Sequence, residues 1–336
     1  MIDWIKGLSV ETYIMEVDSE SWKDIDRIEI MGGSIARTDE GLRNAADLEC
    51  KDYDQTKERW IRIYLDARQS GDGEHRALFT GLASAPDRDI YGVVNTNKVV
   101  CSSVLQPCND VLLPRGWYAP AGANAATVLR DLLSATPAPV EVIGETPKLL
   151  NHIVAEERET RLTMVDKVLL AIGWRLQILG DGTIRISEKA NAPLIMLDPN
   201  KNDCIETDLT VSYDWYSAPN VIRATTDTAS VTYKDMSDSQ LSVMNRGREI
   251  WVEETDCNLN DGETLESYAI RRLKELQMIR NGVSYRRRFI PDIYTTDLVE
   301  LHYPAQNIDG VFYIESQNIT LGYGATVSEE VIAWTK

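Results

Sequence analysis

The chain has three histidines, His75, His152 and His302, which are the side chains with the widest chemical range at neutral pH. A catalytic or metal-binding histidine needs partner groups at a defined spacing, and no HExxH or comparable motif surrounds any of the three. His75 follows a Gly-Asp-Gly turn, and His302 alternates with Leu301 and Tyr303 in a strand-like run. We therefore predict that His75 is solvated, that His302 is an ordinary strand residue, and that His152 has no functional role.

Paired carboxylates are the next candidates, because most glycosidases use two of them flanking the scissile bond. Glu253-Glu254 and Glu329-Glu330 are adjacent pairs, but a chain with 53 acidic residues contains such pairs by composition alone. The pattern favours a solvated face for both pairs.

The basic run Arg286-Arg287-Arg288 lies in a strand-like segment. Side chains alternate along a strand, so Arg286 and Arg288 are predicted to share a face opposite Arg287. That face could pair with acids of a neighbouring subunit, although a solvated outer face is the default interpretation.

Motifs that define a reaction are missing from the sequence: there is no GxSxG elbow, no Walker loop and no GxGxxG run between a strand and a helix. The five cysteines are odd in number and have no CxxC spacing, which favours reduced, mostly buried thiols over a metal or disulfide site. We therefore predict no catalytic residue, no cofactor or cofactor-binding residue, and no metal site.

The charge balance limits the partners. The net charge is −18, with 53 Asp and Glu against 35 Lys and Arg, which argues against a protein that grips nucleic acid through its phosphates. An acidic surface could line a passage for a polyanion, although solubility alone is the simpler reason for it. The N-terminal MIDWIKGLSVETY is no secretory signal, and no apolar run approaches the roughly 18 residues that span a membrane. We expect a protein that is made and folded in a cytoplasm and does not insert into membranes.

The chain has 336 residues, a length typical of two or three domains, and these domains must position the residues described above. Residues 1–108 are mostly strand-like: RWIRIYLD alternates, and SGDGE joins it to HRALFTGLA as a hairpin candidate. Several short strands separated by turns are typical of a small barrel or sandwich.

Residues 109–203 form a predicted mixed insert. Asn124 is placed to cap one helix, a second helix is predicted in ETRLTMVDKVLLAIG with Gly173 as its end, and the Gly180-Asp181-Gly182 turn predicts a hairpin. DPNKND, at 198–203, is the predicted closing linker.

Strands resume in residues 204–336, with one predicted helix in GETLESYAIRRLKELQMI, capped by Asn260 or Asp261 and ended by Asn281-Gly282. The closing run from Asp297 to Gly324 shows two strands, and the second changes its buried parity between Ile314 and Ile319. Such a change indicates a bulge or bend, which we expect near Ser316 to Asn318.

The order of these segments resembles the gp27-like baseplate hub proteins of contractile phage tails and related particles. The similar elements are Pro219-Asn220-Val221, the helix TLESYAIRRLKELQ, the run from Thr296 to Leu301, and GVFYI followed by Ile319-Thr320-Leu321. TRLTMVDKVLLAIGWRLQILGDGTIRI is similar to the family's helix, Gly-Trp strand and Asp-Gly hairpin. Thr296 stands where the family usually has glycine.

The resemblance implies a mainly β fold in which two small tube-forming β-barrel domains, 1–108 and 204–336, flank the mixed α/β region 109–203. It also implies a structural protein: a homotrimer whose six barrels form a pseudo-sixfold ring that joins the sixfold tail tube to the threefold spike. The implied partners are the tail tube or tube-initiator protein, the central spike protein, surrounding baseplate proteins, and DNA that passes without specific binding. The implied location is the virion tail baseplate.

Two alternatives from other classes stay open. One is a tail-associated cell-wall hydrolase hidden in the insert. The other is a glycan-binding tail module that presents Trp117-Tyr118 or Trp215-Tyr216 as an aromatic platform, although such aromatics more often pack in cores or interfaces.

Overall fold

Strands make up most of the regular secondary structure in the computed structural model of the chain, so the predicted mainly β class is confirmed. The structure describes residues 2–28, 30–51, 57–84, 88–91, 94–202, 204–213, 216–226, 228–255, 257, 259, 262–278, 281–322 and 325–334.

The strands of the first two thirds of the chain are β1 Ser9–Val17, β2 Asp24–Ile28, β3 Ile30–Thr38, β4 Asn44–Lys51, β5 Arg59–Gln69, β6 Asp72–Ala83, β7 Arg88–Tyr91, β8 Val94–Ser103, β9 Tyr118–Ala119, β10 Val140–Val142, β11 Ile153–Val154, β12 Trp174–Ile178, β13 Ile184–Glu188, β14 Ile195–Leu197, β15 Ile205–Tyr213 and β16 Val221–Thr225. Those that follow are β17 Ser230–Lys234, β18 Trp251–Glu254, β19 Asn281–Arg288, β20 Leu298–Tyr303, β21 Ile308–Leu321 and β22 Thr326–Ala333. The helices are α1 Gln106–Asp110, α2 Ala125–Leu132, α3 Arg161–Ile172, α4 Val243–Arg246 and α5 Leu265–Met278, with short 3-10 turns at Leu133–Ala135 and Pro304–Gln306.

The chain divides into two compact units: residues 1–208 with 285–330, and residues 209–284 with 331–336. The division of the sequence into 1–108, 109–203 and 204–336 stays a prediction.

The first unit is built on one large sheet in which β22, β21, β3, β4, β8, β6, β5, β1 and β2 are neighbours in that order, while β20 also pairs with β21. The predicted β5–β6 hairpin turns at Ser70-Gly71 as expected. Alternating apolar residues from this sheet pack into one core, with Ile35, Ile63 and Phe79 among its fully buried side chains.

A second core in the same unit holds the mixed segment. It contains α2 and α3 together with the three-stranded sheet β10-β13-β12. Asn124 caps α2 by accepting a hydrogen bond from the Thr127 amide at 3.1 Å, and Gly173 ends α3 in the left-handed conformation at φ 67°. Both predicted helices and the β12–β13 hairpin are therefore confirmed.

Strand β21 changes partner along its length. Its first half pairs with β20, from Ile308 to Tyr313, and its second half pairs with β3, from Ser316 to Leu321. The buried side alternates through Phe312 and Ile314 and then shifts to Gln317, as the parity change in the sequence indicated.

The second unit contains the small sheet β17-β16-β18, and α5 covers one face of it. Ile222, Ala224 and Leu273 are the buried contacts between them. The predicted capping residues Asn260 and Asp261 of α5 lie outside the described residues. Asn281 and Gly282, predicted to end this helix, are instead the first residues of β19.

All five cysteines, Cys50, Cys101, Cys108, Cys204 and Cys257, are free and buried. Burial raises the pKa of the Cys50 thiol to about 11, which keeps it protonated at neutral pH. Within the described residues, no helix has the length and apolar character needed to cross a bilayer.

Candidate functional site

Five adjacent strands of the first unit, β22, β21, β3, β4 and β8, share one open face of the large sheet. Alternation directs one set of their side chains into the core and the other set outward. The fourteen outward residues are exposed or partly exposed, and we call them the small-residue face: Ser34, Ala36, Thr38, Ala45, Asp47, Glu49, Lys98, Val100, Ser102, Ser316, Asn318, Thr320, Ser328 and Glu330.

Strand register aligns the short side chains into rows that cross the sheet. Asn318 lies opposite Ala36, and Ala36 lies opposite Ala45, which is in turn opposite Ser102. The next row begins with Thr320 opposite Ser34. Because side chains directly opposite on one face are neighbours, these rows form a continuous low-relief surface.

Short side chains dominate the small-residue face. Nine of its members are Ser, Thr, Asn or Ala, and three are carboxylates: Asp47, Glu49 and Glu330. Lys98 is its single basic member. A surface with few long side chains and a negative balance repels phosphate and offers little for a polyanion to hold.

The opposite, buried side of these strands carries a chain of polar groups. Arg287 on β19 donates from Nε to Glu329 Oε2 on β22 at 2.8 Å and from Nη2 to Oε1 at 2.5 Å. Gln317 on β21 donates to Glu329 Oε1 at 2.6 Å and accepts from Arg37 on β3 at 3.2 Å. The four neighbouring strands are thus tied together behind the small-residue face, and we call this set the buried ladder.

Every member of the buried ladder is almost inaccessible to water, with Glu329 at 1% and Arg287 at 2% exposure. Burial alone would raise the pKa of Glu329, but the charge and hydrogen bonds of Arg287 outweigh it and hold that pKa below its ordinary value. Tyr285 donates a further hydrogen bond to Glu329 Oε2 at 2.5 Å. The carboxylate therefore stays ionised at neutral pH, and its lone pairs are satisfied.

The β12–β13 hairpin packs directly on the large sheet. The Gly180 carbonyl accepts a hydrogen bond from Thr80 Oγ1 at 2.8 Å, and the Asp181 carbonyl accepts one from Arg62 Nη2 at 3.0 Å. A β-carbon at Gly180 would overlap the Ala77 carbonyl group. The Gly-Asp-Gly turn predicted from sequence therefore has a second role, since its glycines allow close approach of the two segments.

Each histidine has a local partner. His75 is half exposed, its Nδ1 lies 2.5 Å from Asp66 Oδ1, and its ring stacks on Tyr64 at 4.2 Å between centroids. His152 Nδ1 accepts from the Ala121 amide at 3.3 Å. His302 lies on β20 as predicted, with Nδ1 3.3 Å from Asp309. Among the described residues, no three His, Cys, Asp or Glu side chains group as a metal site.

The prediction of a solvated face was wrong for Glu329. Glu330 is exposed as expected, but Glu329 is a core residue whose charge is balanced by Arg287. Glu254 is also partnered, because it accepts from Arg272 Nε at 2.7 Å and from the Tyr268 hydroxyl at 2.8 Å. Glu253 is mostly exposed.

The arginine run alternates as predicted: Arg286 is exposed and Arg287 is buried. Arg288 donates from Nη2 to the Ile5 carbonyl at 3.0 Å. The sequence pattern pointed to the outward pair Arg286 and Arg288 as the interacting residues, whereas the buried Arg287 makes the ion pair with Glu329. The sequence signal for this buried pair is Glu329, because the residues on the same side of its strand are apolar. No local spacing connects Glu329 to Arg287.

The predicted aromatic platforms are only partly present. Tyr118 is exposed, while Trp117 packs against the second core of the first unit. Tyr216 is 79% exposed, and Trp215 lies outside the described residues.

No protein-family model and no curated protein matches the chain. Solved structures do match it. The tail protein from Neisseria meningitidis MC58 is 14% identical, each chain is covered over 97%, and the TM-score is 0.72. The 43 kDa tail protein of prophage MuSo2 from Shewanella oneidensis is 14% identical, with 98% of each chain covered and a TM-score of 0.67.

A third structure connects these tail proteins to the family suggested by the sequence. It is a component of the type VI secretion system of E. coli, described as structurally similar to the T4 bacteriophage tail proteins gp27 and gp5. It is 8% identical, the match covers 92% of this chain and 74% of that one, and the TM-score is 0.53. This chain has the fold of the gp27-like phage tail proteins.

The sequence elements that resemble the gp27-like family lie at the starts of regular elements of this fold or within them. Pro219-Asn220-Val221 leads into β16, and the predicted helix is α5. The run from Thr296 to Leu301 includes the first four residues of β20. Thr296, in the place of the family's usual glycine, adopts a left-handed φ of 72°, the conformation that glycine adopts most readily.

Proposed function

We propose that this protein is a structural hub of a phage tail or related particle, and that three copies form a ring around a channel. The observation that carries the proposal is the match of nearly the whole chain, at a TM-score of 0.72, to a tail protein. The ring joins a sixfold tail tube to a threefold spike, because two tube-forming regions per chain give three copies a pseudo-sixfold arrangement. This role depends on shape and needs no catalytic residue.

The small-residue face supports the channel in this proposal. A channel wall for DNA should be smooth and should not attract phosphate, and this face has short side chains with three carboxylates against one lysine. DNA then passes without specific binding. The buried ladder behind the face keeps the strands that form the wall in fixed register.

The proposed partners are further copies of the chain, the tail tube or tube-initiator protein, the central spike protein and surrounding baseplate proteins. The proposed location is the tail baseplate of the virion, after synthesis in the host bacterial cytoplasm. The hub has no enzymatic activity in this proposal.

Native mass spectrometry of the purified full-length chain, alone and with its tube and spike partners, tests the proposal. A species of three copies is expected. In a separate assay, the protein should release no fragments from purified cell wall. A chain that stays monomeric in the presence of both partners would contradict the proposed hub. Turnover on purified cell wall would favour the hydrolase alternative.

A further inference from the structure

Two segments of the mixed region, residues 111–125 and 147–161, run antiparallel to each other as one ribbon. Its centre is the pair of strands β9 and β11, in which Tyr118 lies opposite Val154. Further backbone pairs keep the same register on both sides of this centre: Leu112 with Thr160, Leu113 with Glu159, Trp117 with Ala155, Ala123 with Leu149, and Asn124 with Lys148. We call these two segments the insert ribbon.

Alternation gives the insert ribbon a buried side and an outward side. The buried side packs on the second core of the first unit through residues such as Ala119. On the outward side, Tyr118 and Val154 are 57% and 58% exposed, and the Tyr118 ring centroid lies 6.2 Å from that of His152. Leu150, which precedes β11, is 66% exposed. Single exposed apolar side chains are ordinary, but neighbouring ones on one element mark an interaction surface.

The middle of the insert ribbon lacks charged residues. Residues 117–123 and 149–155 contain no Asp, Glu, Lys or Arg, although these types make up 26% of the chain. Arg115 and Glu157 form an ion pair at 3.4 Å beyond one end of this stretch. An apolar surface gains free energy by covering another apolar surface and loses it by covering an unpaired charge. The ribbon therefore fits a partner surface that is also apolar and uncharged.

The first unit has a second surface of this kind at β14. Among the strands that the structure describes, β14 pairs with β20 alone, so it is an edge of the large sheet. Residues 190–197, which we call the β14 edge, contain no Asp, Glu, Lys or Arg. Leu194 and Met196 lie two positions apart on one side of it and are 58% and 47% exposed. An edge strand with exposed apolar side chains is a surface on which another chain can dock.

We propose that the insert ribbon of one copy of this chain docks on the β14 edge of a second copy. Each copy carries a net charge of −18, so two copies repel each other wherever their acidic surfaces meet. Contacts between copies are therefore most favourable where neither surface is charged, and the insert ribbon and the β14 edge both meet this condition. The inference rests on the proposed ring and names one of its contacts.

The use of two different surfaces determines the type of assembly. Each copy offers one insert ribbon and one β14 edge, so the contact is head-to-tail, and head-to-tail contacts that close produce rings. A twofold contact would pair the ribbon with itself and leave both β14 edges uncovered. The two surfaces therefore favour a closed ring over a symmetric dimer.

The test uses the full-length protein and three variants. Leu150→Glu places a charge on the insert ribbon, and Leu194→Glu places one on the β14 edge. Leu170→Glu is the matched control, because this leucine on α3 is 74% exposed and the substitution is identical. Sedimentation velocity at low salt and at about 0.5 M salt measures association, and circular dichroism checks folding. If wild type associates only with its tube and spike partners, native mass spectrometry makes the same comparison in their presence.

Wild type and the control are expected to form trimers, and to form them more readily at the higher salt concentration. Salt screens the repulsion between acidic copies but leaves an apolar contact intact. Leu150→Glu and Leu194→Glu should each weaken trimer formation by about tenfold or more, because the new carboxylate would be covered by an apolar surface.

A mixture of the two interface variants tests the head-to-tail pairing. The intact ribbon of Leu194→Glu fits the intact β14 edge of Leu150→Glu, so dimers with one copy of each should form at high protein concentration, whereas the ring cannot close. A mixture without such dimers would overturn the pairing of these two surfaces.

The remaining outcomes separate the contact from the ring. Wild-type trimer formation by both interface variants would overturn the contact and leave the ring standing. Wild type that stays monomeric, alone and with both partners, would contradict the ring and the contact with it. Binding of neutral phospholipid vesicles that Leu150→Glu abolishes, while its trimers persist, would overturn the proposal in favour of a lipid surface.

Discussion

Arg287 and Glu329 form a bidentate ion pair in which both side chains are almost completely buried. The pair joins β19 to β22, and Gln317 and Arg37 extend it to β21 and β3. The pair is thus one end of the buried ladder, which connects four strands behind the small-residue face.

Removing one member of the pair should destabilise the first unit severely. Arg287→Met leaves Glu329 buried without its partner, and the expected cost is about 3–5 kcal/mol of unfolding free energy. Replacing both residues, as Arg287→Met with Glu329→Leu, should cost less than the single change, because Glu329 is then not left as a buried carboxylate without Arg287. Denaturant unfolding of the two variants measures the difference. A double variant that is less stable than the single one would contradict this account.

The pair also predicts how stability depends on pH. The pKa of folded Glu329 is below its ordinary value of 4.5, so its contribution is present above that value and is lost as pH falls through the folded pKa. Unfolding free energy should therefore decline below about pH 4.5, and Glu329→Gln should reduce that slope. Glu330→Gln, at the exposed neighbour, is the matched control for the loss of one carboxyl group. Equal slopes for wild type and Glu329→Gln between about pH 5 and about pH 3 would exclude this role.

The close approach at Gly180 gives a third prediction. Gly180→Ala places a β-carbon against the Ala77 carbonyl group, so the hairpin must move away from β6. The expected loss is about 1–3 kcal/mol, the usual cost of overpacking. Gly7→Ala is the control, because no atom lies within 4 Å of its β-carbon position. Equal unfolding midpoints for the two variants would show that the hairpin does not need this glycine.

The small-residue face predicts a gain of DNA binding when its charge is reversed. Asp47→Lys with Glu49→Lys changes the face without touching the core, since both side chains are exposed. The proposed ring should bind duplex DNA after this change and not before it, with an affinity that falls as the salt concentration rises. Fluorescence anisotropy measures both. Reversal of Glu156 and Glu157, which are exposed in the loop before α3, should have a much smaller effect. Equal binding by the two reversals would indicate a general charge effect.

Local patterns in the sequence were sufficient for most secondary structure. Asn124 and Gly173 bound their helices where a cap and a left-handed residue were expected, and the parity change before Ile319 appeared as a real shift in β21. These features depend on a few neighbouring residues, so a sequence reveals them directly.

The buried ladder and the small-residue face could not be predicted in the same way. Arg37 and Gln317 are 280 positions apart, and their contact exists only because β21 pairs with β3. Alternation with apolar residues places Glu329 on the core side of its strand, but its partner Arg287 is 42 positions away and no local pattern connects the two. The outward Ser34, Ala36 and Thr38 do alternate visibly in IMGGSIART, but their alignment with β4, β8 and β21 requires the sheet order.

The most direct test of the account is a cryo-electron microscopy map of the full-length protein assembled with its tube partner. We expect three copies around a central channel, with Ala36, Ala45 and Thr320 of the small-residue face on the channel wall. A ring in which these residues face outward, or an assembly without a channel, would contradict it.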